Sequence, residues 1–492
     1  MMNKTIFQFF HWYFRKEDNL WNNCADQSEY LSRLGVTDIW LPPAYKSAIG
    51  ADEPGYAVYD LFDLGEFDQK NSVRTRHGTK DEYINCIKRL AEKNIDVLAD
   101  IVLNHRMGAD EKEKIRVTKF KDENRLEPQS GEMEIEAHTR FTFPGRQGKY
   151  SDYIWDAQSF TGVCEDGIPA IIHNEWTKDG WDENLDEEQG NYDYLMGCDV
   201  EFRNPNVREE LVKWGIWYIE TTGVKGFRLD GLKHIPQSFF PEWLDRIKKH
   251  FNRDFFTIGE FWKNDLAMLE KFIQLTDGRI QLFDVPFHFN LYGASKEGRN
   301  YDLRQILDNT LVTKVPQLTI TFVDNHDTQP GQSLESLVEP WFKPHAYALI
   351  LLREGGIPCI FHPALYSATY KEKDEKGKEK EFTIPKIDIL DIMMKVRAQL
   401  AYGKQTDYFD DPNVIGWVRS GVEEKANSGL AVLITNKEES SKKMSLGKEH
   451  AGKTMGDVER KFDDVTLNNE GVGEFHVAAG YCSIWTFKGA LK

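Results

Sequence analysis

The chain has 492 residues and a formal net charge of −18, from 80 Asp and Glu against 62 Lys and Arg. This length exceeds what one hydrophobic core supports, so a large domain with appended ones is expected; the negative field opposes nucleic acid or an anionic membrane as partner. Aromatic residues make up 13%, a share that on composition alone slightly favours a large core and also fits a cleft offering flat apolar faces to a neutral ligand.

The first segment, Thr5–Phe10, is an apolar run broken by Gln8 with no small-residue cleavage site after it, so it reads as a strand and not as a secretion signal. Val36–Leu41 is the next strand. Thr79 and Glu82 then form a capping box that opens a helix with Ile84, Ile87, Leu90 and Ala91 on one face. Asp96–Leu103 is the third strand. Between His105 and about Asn204 the helical period vanishes and alternating stretches such as Glu132–Ala137 and Arg140–Phe143 replace it, the pattern of an inserted β-rich domain. Asn206 followed by Glu209 reopens the helical rhythm, and that helix ends near Gly223. Five further strands follow: Gly226–Leu229, Phe255–Gly259, Ile280–Val285, Leu318–Val323 and Ile357–Phe361. Lys371–Glu381 alternates signs and reads as a solvated loop. Beyond Leu400 short strands return, as in Val414–Val418, Leu430–Ile434 and Tyr481–Trp485.

Strands alternating with helices predict an α/β chain built on a (β/α)8 barrel, with the β-rich insertion after strand 3 and a C-terminal antiparallel β-sandwich. The expected boundaries are 1–104 and 205–396 for the barrel, 105–204 for the insertion and 397–492 for the sandwich. No run of about 20 apolar residues is found, so no membrane span is expected. Cys24, Cys86, Cys164, Cys198, Cys359 and Cys482 lack paired spacing and read as free thiols of a reducing compartment. These features predict a cytoplasmic monomer.

In such barrels catalytic groups project from the C-terminal ends of the strands. Asp230 ends the fourth strand, with Arg228 two residues earlier on the same face, where a guanidinium keeps the carboxylate ionised. Glu260 ends the largely apolar fifth strand, an environment that holds a carboxylic acid protonated. Asp327 lies in the polar cluster after the seventh. One strand-end Asp alone is more often a helix cap. Three at one barrel mouth match a retaining glycosidase, which needs two carboxyl groups about 5–5.5 Å apart. Phosphate loops, His-Glu-x-x-His, Cys-x-x-Cys and Gly-x-Ser-x-Gly are all missing from the sequence.

Four blocks sharpen this reading: Asp100-Ile-Val-Leu-Asn104-His105, Gly226-Phe-Arg228-Leu-Asp230-Gly-Leu-Lys233-His234, Gly259-Glu260-Phe-Trp262 and Phe322-Val-Asp-Asn-His326-Asp327. In order and spacing the chain resembles the α-amylase family of glycoside hydrolases, of the liquefying bacterial type, over nearly its whole length. The resemblance implies cleavage of internal α-1,4 bonds in starch, glycogen or maltodextrins, with Asp230 as nucleophile, Glu260 as acid/base and Asp327 as stabiliser of the distorted sugar. It implies that His105, His326 and Arg228 surround that sugar, that Tyr56 stacks on it, and that Lys233, His234 and Trp262 line the product side. It also implies one structural Ca2+ held by Asn104, Asp193, Asp199 and the backbone carbonyl of His234. The acidic positions of a second metal cluster are matched by Asp182 and Glu201, but Phe160–Glu165 departs from the acidic pattern. After the eighth strand, Phe361–Tyr366 departs from the Tyr-Gly-Asp type of segment, leaving a 4-α-glucanotransferase on the same scaffold as the alternative. A non-catalytic glycan-binding module is a third reading, opposed by the three intact acids.

Overall fold

In the computed structural model, which describes residues 3–373 and 377–491, eight strands close a parallel barrel. They are β1 (Ile6–Gln8), β2 (Asp38–Leu41), β3 (Asp96–Ile101), β4 (Gly226–Leu229), β5 (Phe256–Gly259), β6 (Gln281–Phe283), β7 (Thr319–Phe322) and β8 (Ile357–Phe361). All eight expected strands are present and neighbours in sequence are neighbours in space, with β8 returning to β1. Half of them, β1, β3, β6 and β7, end sooner than the apolar runs suggested, because the chain leaves the ladder there to build the mouth. The run from Asp96 to Leu103, for example, pairs only to Ile101.

The capping box forms as read: Thr79 accepts from the Glu82 amide and Glu82 accepts from the Thr79 amide, opening the helix Lys80–Ala91. The second expected cap is displaced by two residues. Asn204, not Asn206, caps the helix Pro205–Thr222, since its side chain accepts from the Asn206 amide and Pro205 takes the first helical position, where no N–H is needed. Gly223 ends that helix in the left-handed region, as expected of a C-terminal glycine.

Between β3 and β4 lies a six-stranded sheet in the order His105–Arg106, Cys198–Val200, Phe160–Glu165, Ile168–Ile172, Glu111–Lys119, Met133–Arg140. Its first two strands leave the barrel mouth and return to it, so Asn104, just before the first, comes beside Asp199 in the second. The C-terminal region forms a six-stranded antiparallel sheet, from Gln405–Tyr408 to Val465–Thr466, facing the pair Ser440–Ser445 and Val472–Val477. Leu433, Met444, Phe475 and Trp485 fill the space between them.

The expectation of a solvated loop over Lys371–Glu381 is corrected by the structure, although Asp374, Glu375 and Lys376 lie outside the described residues. Ala368–Lys373 and Glu379–Ile384 pair as an antiparallel hairpin. The sign alternation that read as solvation is cross-strand matching: Lys371 faces Glu381, Glu372 faces Lys380 and Lys373 faces Glu379. Tyr370 anchors the hairpin by stacking on Tyr13, with centroids 4.1 Å apart.

Candidate active site

Strand register brings the acids together. Arg228 lies beside Asp100 of β3 on one side and Ile258 of β5 on the other. The next residues up, Asp230 and Glu260, therefore leave neighbouring strands at the same level. Their backbones continue the ladder, the Asp230 amide donating to Ile101 O and the Glu260 amide to Leu229 O.

One buried guanidinium joins three carboxyls. Arg228 Nη1 donates to Asp100 Oδ1 at 3.0 Å and also to Asp230 Oδ1, while Nη2 donates to Glu260 Oε2 at 2.6 Å. Because both nitrogens belong to one planar group, the bonded oxygens of Asp230 and Glu260 stand within about 7 Å of each other. Asp100 is sealed, accepting from Trp40 Nε1 at 2.9 Å and Tyr56 Oη at 2.8 Å. The side chains of Arg228 and Asp100 are 0% exposed, whereas those of Asp230, Glu260 and Asp327 are 14%, 13% and 24% exposed. Asp230, Glu260 and Asp327 can therefore meet a ligand, while Arg228 and Asp100 support them from beneath.

Electrostatics divides the acids by role. Burial pushes the Glu260 carboxyl up to about 7; Arg228 opposes the shift and the charge of Asp230 adds to it. Burial also holds Asp327 well above the usual carboxylate range, with Glu260 as the main neighbouring charge. Glu260 thus carries a proton to near neutral pH, as a proton donor must.

Across the mouth, His326 accepts at Nδ1 from Gln8 Nε2 at 3.1 Å. That bond places its proton on Nε2, which lies 3.4 Å from Asp327 Oδ2. Burial, reinforced by Arg228, keeps the ring neutral. The Tyr56 ring stacks on His326 at 5.1 Å and on Trp12 at 5.3 Å, making one aromatic face beside the acids. His105 hydrogen-bonds through Nε2 to Tyr56 O at 2.9 Å, holding that residue from below. Lys233 lies over the Tyr192 ring at 4.3 Å. The product-side assignments of the other two residues gain no direct geometric support. The His234 ring is turned onto Tyr192 O at 2.8 Å, and Trp262 packs among His288, Phe289 and Phe322.

Asn104, Asp193, Asp199 and His234 come to one region. Val200 N donates to Asn104 O, Asp199 pairs with His105, and the contact of His234 with Tyr192 sets it beside Asp193. Both amide atoms of Asn104 and Oδ2 of Asp199 are buried without a hydrogen-bond partner. Such atoms are costly unless something absent from the protein chain satisfies them, and oxygen donors of this kind suit a hard cation. Among the described residues no three His, Cys, Asp or Glu side chains close on a single point, so a cation bound here would have to draw on Asn104 and main-chain oxygens as well as carboxylates.

The family described as "Alpha amylase, catalytic domain" matches residues 19–380. The chain belongs to the α-amylase family. It is 43% identical over 488 residues to the alpha-amylase of Geobacillus stearothermophilus, covering 98% of this chain and 87% of that one. It is 42% identical to the cytoplasmic alpha-amylase of Escherichia coli K12, with 99% of each chain covered. Among solved structures, an Anoxybacillus alpha-amylase superposes with a TM-score of 0.65 at 17% identity, covering 100% of this chain and 98% of that one, which shows a shared fold.

Within this family member, Asp100, Trp12 and Gln8 are site residues that sequence reasoning did not single out. Asp100 had a usable signal, since it shares the barrel-facing parity of β3 with Leu98. Trp12 follows β1 at the mouth end, where the strand-end rule applies equally to aromatic residues. We expect Trp12→Ala to lower kcat/KM on maltooligosaccharides by about 3- to 10-fold through loss of the stacked face, with kcat less affected. Steady-state kinetics checks this, and an unchanged kcat/KM rejects the role.

Proposed function

We propose that this α-amylase family protein is an endo-acting, retaining hydrolase of α-1,4-glucosidic bonds in starch, glycogen or maltodextrins. The carrying observation is the shared guanidinium: Arg228 holds Asp230 and Glu260, from adjacent strands, within reach of one glucosyl unit. A bound of about 7 Å admits the separation of about 5–5.5 Å used by retaining enzymes and leaves out most of the range of about 6.5–9.5 Å used by inverting ones. Glu260 protonates the departing glycosidic oxygen as Asp230 Oδ attacks the anomeric carbon; the C–O bond to the leaving chain breaks and a glycosyl ester forms. Glu260, now ionised, takes a proton from water, whose oxygen replaces Asp230 at that carbon. Asp327, with neutral His326 beside it, holds the distorted sugar. Arg228 and Asp100 position the two reacting acids. Tyr56 and Trp12 supply the face on which the sugar stacks.

One Ca2+ is the cation that best fits the orphaned oxygens of Asn104 and Asp199, with Asp193 and the His234 main chain as further donors. It would tie the inserted sheet to the loop after β4. No helix of the described residues is long and apolar enough to cross a membrane. All six cysteines are free, and together with the relative named as cytoplasmic this supports a cytoplasmic location; a monomer without nucleic-acid or membrane partners accords with the charge.

The test is a time course of products from soluble starch, with and without a chelator. Maltooligosaccharides of intermediate length appearing early, and a lowered thermal midpoint in chelator, are expected. Early release of glucose or maltose alone rejects endo attack. Longer oligomers formed from maltotetraose would identify transfer to a sugar instead of water. The pH profile is a separate expectation: kcat/KM falls above about pH 7, because the raised Glu260 group then loses the proton it must donate. A flat profile to pH 9 removes Glu260 as the acid.

A further inference from the structure

Beside the Asn104 region lies a second group of oxygens, and a side chain already fills it. Arg203, between the strand Cys198–Val200 and the helix Pro205–Thr222, folds back on Glu201. Its Nε donates to Glu201 Oε1 at 2.8 Å and its Nη2 to Glu201 Oε2 at 2.7 Å, a bidentate pair. Both Nη1 and Nη2 reach Gly180 O at 3.1 Å, and Nε stands 3.9 Å from Asp182 Oδ1. Two carboxylates and a main-chain carbonyl around one positive charge make an all-oxygen environment of the kind a hard divalent cation seeks.

The surroundings show how much positive charge this region demands. Asp182, Asp193, Asp199 and Glu201 are all buried, at 5%, 2%, 1% and 0% exposure. Burial works against the charge on Arg203, but its hydrogen bonds to Glu201 and the nearby acids outweigh this. Four carboxylates against one guanidinium leave three negative charges, and one divalent ion leaves one. Without the guanidinium, one divalent ion would leave two negative charges and a second would cancel them. At Glu201 both oxygens are engaged, Oε2 also by Thr161, while Oδ2 of Asp182, like oxygens of Asn104 and Asp199, is left without a partner.

We infer that Arg203 is a built-in cation, which occupies a coordination cage formed by Glu201, Asp182 and Gly180 O and so limits the inserted domain to one divalent ion. The inference rests on the single-ion reading above, and it makes metal stoichiometry a property of one side chain. Arg203 also clips the Gly180–Asp182 segment to the end of the Cys198–Val200 strand without needing a metal.

The test is a count of bound Ca2+ per full-length chain, by elemental analysis after gel filtration and by titration calorimetry. It compares the unaltered protein with Arg203→Ala and Arg203→Lys. One ion in the unaltered protein, two in Arg203→Ala and one in Arg203→Lys is the expected result. Two ions in the unaltered protein, or one in both it and Arg203→Ala, overturns the inference. No ion in the unaltered protein defeats the single-ion reading; a gain of one in Arg203→Ala would still uphold the role of Arg203, and no gain would end it. Should Arg203→Ala not fold, the same count on the uncharged, polar Arg203→Gln, refolded in Ca2+, decides between the same outcomes.

Discussion

Glu260→Gln lowers kcat on maltooligosaccharides by about 10²- to 10⁴-fold while leaving oligosaccharide binding nearly intact. The amide keeps the shape of the side chain and can still accept from Arg228 Nη2, so the mouth retains its geometry. What it lacks is a proton for the glycosidic oxygen. A substrate whose leaving group needs no proton, such as a nitrophenyl glycoside, should therefore lose far less in the glycosylation step than a maltooligosaccharide does. Single-turnover kinetics on both substrates reads the difference. An undiminished rate on the natural substrate would reject the acid/base assignment, and equal losses on both would point to damaged geometry instead.

Arg228→Leu should cost about 3–5 kcal/mol of stability as well as abolishing turnover, because it leaves Asp100, Asp230 and Glu260 without their common partner in a buried setting. Arg228→Lys should fall between the two proteins, since an ammonium cannot reproduce two separately aimed nitrogens. The urea midpoints of the three proteins check the order. A loss below about 0.5 kcal/mol for the leucine variant, the range of ordinary surface changes, would show that the carboxyls do not depend on this guanidinium.

The barrel was legible because its strands are short apolar runs at regular intervals, and the acids were legible because they sit at the ends of those runs. Asp230, Glu260 and Arg228 meet as the strand parity implied. What could not be read was anything set by contacts distant in sequence. Nothing in its own neighbourhood marks Arg203, whose environment depends on Gly180 and Asp182 arriving from a loop some 20 residues away. His234 is a similar case: its ring is spent on Tyr192 O, a partner 42 residues earlier. The Asn204 cap was missed for a local reason, because the proline after it marks the first helical turn more strongly than the next asparagine does.

The hairpin after β8 has a consequence for how it assembles. A slip of one residue in one direction would set Lys371 against Lys380 and Glu372 against Glu379; a slip in the other would set Glu372 against Glu381 and Lys373 against Lys380. Either error confronts like charges and also turns Tyr370 away from Tyr13. The alternating signs thus act as teeth that mesh at a single setting, and they make this solvent-facing ribbon a poor template for strands of another molecule.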